Sequence, residues 1–110
     1  MARNCDDHTK NFAFRLKQGA QWELAPAYDV THAHNPKSEW GSQHFMSVNG
    51  KFAEISRADL LQVADRFGVG RAAALLTDVN SALGNWSAFA AAAGLGSIVT
   101  DKIAQDFRVV

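Results

Sequence analysis

The sequence predicts a mainly α-helical domain with one small β-hairpin near its N-terminus. Large apolar side chains alternate with polar ones in 12–17, which predicts a strand with one buried face, because strand side chains repeat every two residues. The alternation returns in 21–24 after a Gly-containing turn at 18–20, which is typical of a hairpin. From residue 56 onward the apolar residues recur at intervals of three and four, the period of amphipathic helices.

The second half of the chain, about residues 56–107, is predicted to form three helices. Ser56 and Asp59 make a variant capping box at the start of the first helix, and Gly68 ends it. Ser97 is the predicted cap of the last helix. The predicted helices run from 57 to 67, from 71 to about 92 and from 98 to about 107. The side chains expected to pack into the core include Leu60, Leu61, Val63, Ala64, Phe67, Trp86 and Phe89.

Length and composition favour one folded domain, since the chain has 110 residues, of which 47% are hydrophobic and 20% charged. Lys plus Arg equals Asp plus Glu, with 11 of each, so no net charge attracts the chain to nucleic acid or to an anionic membrane. Cys5 is the only cysteine, which excludes an internal disulfide and predicts a small buried apolar side chain. No secretion signal or membrane-spanning run is visible, so we expect a soluble cytoplasmic protein.

The residues best suited to chemistry cluster at 4–11, in the loop before the first predicted strand. Asp29 follows the second strand, and a hairpin brings these two loops side by side. Phosphoryl transfer needs a carboxylate for the hydroxyl proton and oxygen ligands for Mg²⁺. Protein-kinase-like catalytic loops have an Asp, an Asn five residues later and a further Asp after a hairpin. Here Asp6, Asn11 and Asp29 follow that order.

Each of these residues also has a purely structural interpretation. Asp6 could be a solvated turn carboxylate, Asn11 a plain turn residue, and Asp29 the cap of a short helix. His8 could serve as a local hydrogen-bonding group rather than in catalysis. Lys10 could be a surface charge or could offset phosphate charge. The residue types alone leave these alternatives open.

The segment 31–45 contains Pro, Gly and small polar residues and is predicted to be a long loop, of a kind that is often functional or mobile. His32 and His34, with His44 nearby, raise the question of zinc. No Cys or Glu lies at a familiar ligand spacing, so we expect an ordinary loop. Asp7 is predicted to be solvated.

Two motifs carry a family resemblance. Two segments taken together closely resemble the C-terminal part of the HipA family of serine/threonine kinase toxins. They are Asn4-Cys5-Asp6-Asp7-His8-Thr9-Lys10-Asn11-Phe12 and Trp22-Glu23-Leu24-Ala25-Pro26-Ala27-Tyr28-Asp29-Val30. The resemblance continues through Met46-Ser47-Val48-Asn49-Gly50-Lys51 and Asp59-Leu60-Leu61. It implies that 1–110 is a single C-terminal helical lobe of a protein-kinase-like fold, with the catalytic and metal-binding loops within 4–31.

The resemblance also implies residue roles and partners. Asp6 would be the catalytic base, and Asn11 and Asp29 would bind Mg²⁺. The residues implied on the nucleotide or phosphate side are His8, Thr9, Lys10 and Tyr28. Mg²⁺ and ATP are the implied cofactors. Family members are the toxin half of type II toxin–antitoxin systems, phosphorylate protein substrates and pair with a HipB-type antitoxin, which makes most of the contact with DNA.

Full-length family members carry an N-terminal lobe with a Gly-rich phosphate loop, which the residues before Asn4 are too few to supply. We therefore expect a C-terminal lobe that is inactive alone and needs a nucleotide-binding lobe for kinase activity. The alternative is a non-catalytic interaction module or remnant. Such a module would self-associate through the face that the N-terminal lobe covers in the family, or bind a HipB-type antitoxin.

Overall fold

The computed structural model describes all 110 residues and contains one hairpin and four α-helices. The elements are β1 (Phe14–Leu16), β2 (Trp22–Leu24), α1 (Arg57–Arg66), α2 (Ala72–Gly84), α3 (Trp86–Ala92) and α4 (Ser97–Ala104). A short 3₁₀ turn, Thr9–Asn11, precedes β1. The predicted class, mainly helical with a small hairpin, is therefore confirmed.

The hairpin forms where the alternating pattern places it, although both strands are shorter than predicted. β1 and β2 are antiparallel, with Phe14 opposite Leu24 and Leu16 opposite Trp22. Gly19 lies in the connecting turn at a φ of 71°, in the left-handed region that glycine tolerates best. On the polar face, Glu23 forms ion pairs with Arg15 at 2.7 Å and Lys17 at 2.9 Å.

The prediction of a buried hairpin face is wrong for these 110 residues. The five large apolar residues of that face, here called the hairpin face, are all more than half exposed: Phe12 (58%), Phe14 (67%), Leu16 (53%), Trp22 (68%) and Leu24 (61%). The physical reason is that no helix packs on the hairpin, since among the regular elements the helices contact only other helices. A two-stranded sheet has no second layer of its own, so its apolar side stays open.

Helix α1 begins at the predicted capping box. The Ser56 hydroxyl accepts from the backbone N–H of Asp59 at 3.3 Å, and the Asp59 carboxylate accepts from the backbone N–H of Ser56 at 2.8 Å. Beyond the helix, Gly68 adopts a φ of 63°, and Val69 N–H bonds Ala64 O at 2.8 Å. Phe67 was predicted to be in the core but is 72% exposed, because it stands at the C-cap, past the last helical turn.

The side chain of Asp59 also connects α1 to the preceding tight turn. Asn49 and Gly50 both have positive φ, 53° and 78°, as tight hairpin turns require. Asn49 Nδ2 donates to Asp59 Oδ1 at 3.0 Å, and Lys51 Nζ lies 2.8 Å from Asp59 Oδ2. These hydrogen bonds, with those of Ser56, hold the pKa of the buried Asp59 carboxyl well below its usual range.

The predicted helix from 71 to about 92 is two helices, α2 and α3, separated at Asn85, so the total is four rather than three. Asn85 leaves helical geometry (φ −92°, ψ 9°), and its Nδ2 donates to Ser81 O at 3.1 Å. An asparagine side chain competes with the backbone for hydrogen bonds, and the preceding Gly84 has low helix propensity. Together they end the helix where apolar spacing alone predicts that it continues.

Helix α4 differs from its prediction at both ends. It begins at Ser97 with Gly96 as N-cap, so Ser97 does not cap it, and it ends at Ala104. Past its end, Phe107 packs edge-to-face against Trp86 with ring centroids 5.6 Å apart, and Trp86 Nε1 donates to Thr100 O at 2.9 Å. Trp86, predicted to be in the core, is half-buried by these contacts, whereas Phe89, also predicted to be in the core, is 56% exposed.

The buried core is small. Five of 110 residues are buried: Cys5, Asp59, Ala64, Ala90 and Thr100. The Cα radius of gyration is 15.8 Å, above the value of about 13 Å expected for a compact domain of this length. None of the helices combines the length and apolar character needed to cross a bilayer. The helices pack pairwise, and much apolar surface remains available for contact.

Candidate active site

The first loop of the site is held by hydrogen bonds within its own motif. Asn11 lies at the end of the 3₁₀ turn, and its Nδ2 donates to the backbone carbonyl of Asp6 at 3.0 Å. Asn4 Oδ1 accepts from the backbone N–H of Asp6 at 3.2 Å. The backbone of Asp6 is therefore fixed on both sides by asparagine side chains of the same loop.

The hairpin brings the second loop against the first. Asn4 Nδ2 donates to the backbone carbonyl of Asp29 at 3.0 Å, and the Tyr28 hydroxyl donates to the backbone carbonyl of Lys10. Asn4, Asn11, Tyr28 and Asp29 consequently line one cavity of about 180 Å³, whose remaining wall is mostly apolar. The loop positions expected from the hairpin therefore meet, with Asn11 and Asp29 at the same cavity.

Asp29 occupies an uncommon backbone conformation. Its φ is 54°, in the left-handed region that non-glycine residues rarely adopt. No helix begins after it, because residues 30–56 contain no regular helix or strand, so the alternative of a helix cap is wrong. Such conformations persist where surrounding contacts enforce them, often at functional sites. The bond from Asn4 is such a contact.

Asp6 and the neighbouring polar residues are arranged differently. The Asp6 carboxylate is 58% exposed, and it lines a separate open groove rather than the cavity of Asn11 and Asp29. His8 Nε2 lies 3.8 Å from Asp6 Oδ1, while the buried His8 Nδ1 has no hydrogen-bond partner. Thr9 and Lys10 are exposed on the 3₁₀ turn and line neither space. The structure thus connects Asp6 to Asn11 and Asp29 through the backbone of Asp6 and not through its carboxylate.

Asp7 was predicted to be solvated, and this is wrong. Its carboxylate receives the backbone N–H of Phe45 at 2.8 Å and lies 2.8 Å from His44 Nδ1. The Asp7 side chain is 23% exposed. The residue is thus an anchor that attaches the end of the long loop to the first loop of the site, residues 4–11. Because 37 residues separate Asp7 from His44, local sequence spacing contains no signal for this contact.

The other end of the long loop is attached to the same motif through backbone bonds. Cys5 N–H donates to Ala33 O at 2.9 Å, and Ala33 N–H donates to Arg3 O at 3.0 Å. Cys5 is fully buried, as predicted, and burial raises the pKa of its thiol. The long loop therefore lies beside Asp6 and is held at both of its ends.

The two histidines of this loop meet a partner that local spacing does not reveal. His32 Nε2 lies 3.0 Å from Asp106 Oδ2, and His34 Nδ1 lies 3.0 Å from Asp106 Oδ1. Burial raises the pKa of the Asp106 carboxyl, but hydrogen bonds from His34 and His32 outweigh it, and the pKa is lowered. Asp106 stands 74 residues beyond His32, which is why the sequence showed no third ligand.

The donor set of this cluster resembles a metal site, since the ligand atoms of His32, His34 and Asp106 lie within 4.8 Å of one another. However, an Arg3 guanidinium nitrogen is hydrogen-bonded to His34 Nε2. A guanidinium only donates, so Nε2 must accept and the imidazole proton is on Nδ1, the nitrogen that lies 3.0 Å from Asp106 Oδ1. That proton and the adjacent positive charge oppose a cation, so the arrangement fits a hydrogen-bonded cluster better than a zinc centre.

Comparison with protein families identifies the family of this chain. The model described as the HipA-like C-terminal domain matches residues 1–87, which contain the hairpin, both loops and the first two helices. The chain therefore belongs to the family of HipA-like C-terminal domains. Comparisons with curated proteins and with solved structures found no match.

Proposed function

We propose that this chain is the catalytic-loop and metal-binding half of a HipA-type, ATP-dependent serine/threonine protein kinase. The observation that carries the proposal is the hydrogen-bonded junction of the two loops, in which Asn4 links Asp29 to the loop of Asp6 and Asn11. Kinase chemistry depends on positioning more than on covalent participation of the protein. A junction of this kind keeps carboxylate and amide groups in place before substrate arrives.

The oxygen atoms of Asn11 and Asp29 suit a hard divalent cation. Asn11 donates through Nδ2 to Asp6 O, which leaves its Oδ1 available as a ligand. The exposed Asp29 carboxylate forms no ion pair, while its backbone carbonyl is occupied by Asn4. Mg²⁺ prefers such oxygen ligands, and when bound it would neutralise charge on the nucleotide phosphates. Asn11 and Asp29 are the proposed ligands.

In the proposed reaction, Asp6 orients the serine or threonine hydroxyl and accepts its proton as the oxygen bonds to the γ-phosphorus of ATP. The bond from that phosphorus to the bridging oxygen breaks, and ADP leaves. The half-exposed Asp6 carboxylate is accessible to a protein substrate. The residues proposed on the nucleotide or phosphate side are His8, Thr9, Lys10 and Tyr28. A separate nucleotide-binding lobe and a HipB-type antitoxin are the proposed partners.

Reconstitution tests this function directly. The chain is mixed with a HipA-type nucleotide-binding lobe, Mg-ATP and candidate protein substrates, and phosphotransfer is measured. We expect activity that Asp6→Ala abolishes and that the exposed helical variant Asp78→Ala preserves. Absence of phosphotransfer with both pieces folded would refute the proposal. Activity that survives in Asp6→Ala would refute the assigned base.

A specific observation favours a second candidate, a non-catalytic association module. The hairpin face exposes five large apolar residues in one patch, and such patches commonly mark interaction sites. Sedimentation of the chain alone tests whether copies associate there. We expect association that Phe14→Ser weakens. Phe67→Ser, at a similarly exposed position just after α1 and outside the hairpin face, should leave the association unchanged. A clean monomer at all concentrations would exclude self-association.

A further inference from the structure

A continuous aromatic and acidic surface lies beside Asp6. The groove that Asp6 lines has a volume of about 610 Å³, and Trp40 and Phe45 form part of its wall. The same two aromatic residues line an adjoining cavity of about 290 Å³ together with Glu39 and Phe52. Their rings are stacked, with centroids 6.0 Å apart and planes inclined by 6°. The stacked pair, here called the aromatic ridge, lines both spaces.

The loop that carries the ridge is closed by its own hydrogen bonds. Asn35 N–H donates to Gly41 O at 2.9 Å, Ser38 N–H to Asn35 O at 3.0 Å, and Trp40 N–H to Ser38 Oγ at 3.2 Å. A Cβ at Gly41 would stand 3.2 Å from Asn35 N, so this closure favours glycine. Trp40 is thus presented by an ordered loop although its side chain is 67% exposed.

The permanently charged residues on this surface are acidic. Asp6 and Glu39 bring carboxylates to the two spaces, and neither space is lined by a lysine or arginine, although three histidines, His32, His34 and His44, also line them. An exposed indole face attracts a guanidinium or ammonium group, with arginine preferred. Acidic groups beside an aromatic ridge are therefore complementary to a basic side chain rather than to an acidic or purely apolar one.

We propose that this surface is the acceptor-peptide site and that it selects substrates with an arginine or lysine near the phosphorylated residue. The serine or threonine hydroxyl would lie at Asp6, and the basic side chain would stack on Trp40 beside Glu39. The inference rests on the proposed kinase function for the meaning of Asp6. The binding preference itself follows from the groove, the ridge and their charge.

Peptide binding to the full chain without nucleotide or magnesium tests the proposal separately from catalysis. The probes are a short labelled peptide with one serine and two arginines and a matched peptide with two glutamates, followed by fluorescence anisotropy. We expect tighter binding of the basic peptide. Trp40→Ala should weaken that binding about two- to fivefold, the size of an exposed cation–π contact. Glu39→Lys should reduce or reverse the preference between the peptides.

Phe67→Ala is the control, because Phe67 is 72% exposed, close to the 67% of Trp40, but lies just after α1 and outside the groove. It should leave the affinity for the basic peptide unchanged. Equal affinity for both peptides, binding of neither, or equal effects of Trp40→Ala and Phe67→Ala would overturn the proposal. Failed phosphotransfer with intact selective binding would instead count against the kinase function alone.

Discussion

The side-chain amide of Asn4 donates a 3.0 Å hydrogen bond to the backbone carbonyl of Asp29, a residue held at a φ of 54°. This bond links the loop before the hairpin to the loop after it. It also stabilises a backbone conformation that costs about 1–3 kcal/mol in a non-glycine residue. The orientation of the proposed metal ligand therefore depends on an asparagine that binds no metal itself.

Removal of this link should weaken both magnesium binding and folding. Asn4→Ala removes two side-chain hydrogen bonds, to Asp29 O and from Asp6 N–H, and should lower stability by about 1–3 kcal/mol. Loss of a group that supports a ligand should weaken Mg²⁺ binding about tenfold. NMR titration with Mg²⁺, following the Asp29 amide, measures this. Asn85→Ala, which removes a side-chain bond at the α2–α3 break, is the control, and equal Mg²⁺ affinity in both variants would contradict the prediction.

Asp7 should stabilise the chain by anchoring the long loop. Asp7→Ala removes the acceptor of Phe45 N–H and of His44 Nδ1. Hydrogen bonds to a charged acceptor are typically worth about 1.5–3 kcal/mol, so we expect a loss of that order. Urea unfolding followed by circular dichroism measures the loss. Asp78→Ala, an exposed helical aspartate, should change stability much less, and a loss equal to that of Asp7→Ala would remove the anchoring role.

Stability should fall in acid through Asp59. Because its pKa is lower in the folded chain than its ordinary value of about 3.9, the unfolded chain takes up the proton first as the pH falls. Its contribution is therefore complete above the ordinary pKa and is lost as the pH falls toward the lower folded value. Thermal unfolding between neutral and strongly acidic pH should show this loss.

The Asp59→Asn variant should have a flatter acid limb than the unaltered chain, while Asp65→Asn on the exposed side of α1 should keep the original pH dependence. If Asp59→Asn left the acid limb unchanged, the hydrogen bonds of Asp59 with Lys51 and Ser56 would not be the source of the loss of stability in acid.

Packing of the last helix should depend on the Trp86 indole nitrogen. Trp86→Phe removes the bond to Thr100 O and should cost about 1 kcal/mol from that bond, with a further loss of ring contact. Trp22→Phe, at an exposed position with no such bond, should be close to neutral. Differential scanning calorimetry compares the two, and similar shifts in melting temperature would contradict the assignment.

The features predicted correctly from the sequence arise from interactions between near neighbours. The alternation around Phe14 and Trp22 specifies the strands, and the offset between Ser56 and Asp59 specifies the start of α1. Backbone geometry imposes the alternation of the strands and the three-residue offset of the capping box, so both can be recognised without knowing the rest of the fold. The meeting of the two loops that contain Asn11 and Asp29 was also predictable, since one hairpin connects them.

Other features depend on residues far apart in the chain. Asp7 contacts His44, and Asp106 contacts His32, across separations with no local period. Apolar periodicity cannot show the end of α2 at Asn85, because a single side-chain hydrogen bond competes there with the helix.

The sequence by itself determined the fold class, the hairpin, the capped first helix and the family motifs, because these are set by local conformational preference and by residue type. Only the tertiary structure decided that Asp6 lines the same groove as the aromatic ridge while Asn11 and Asp29 share a different cavity. It also decided that the hairpin face is open. Side-chain direction and burial depend on which distant segments pack nearby, and alternation specifies an apolar face without specifying what covers it.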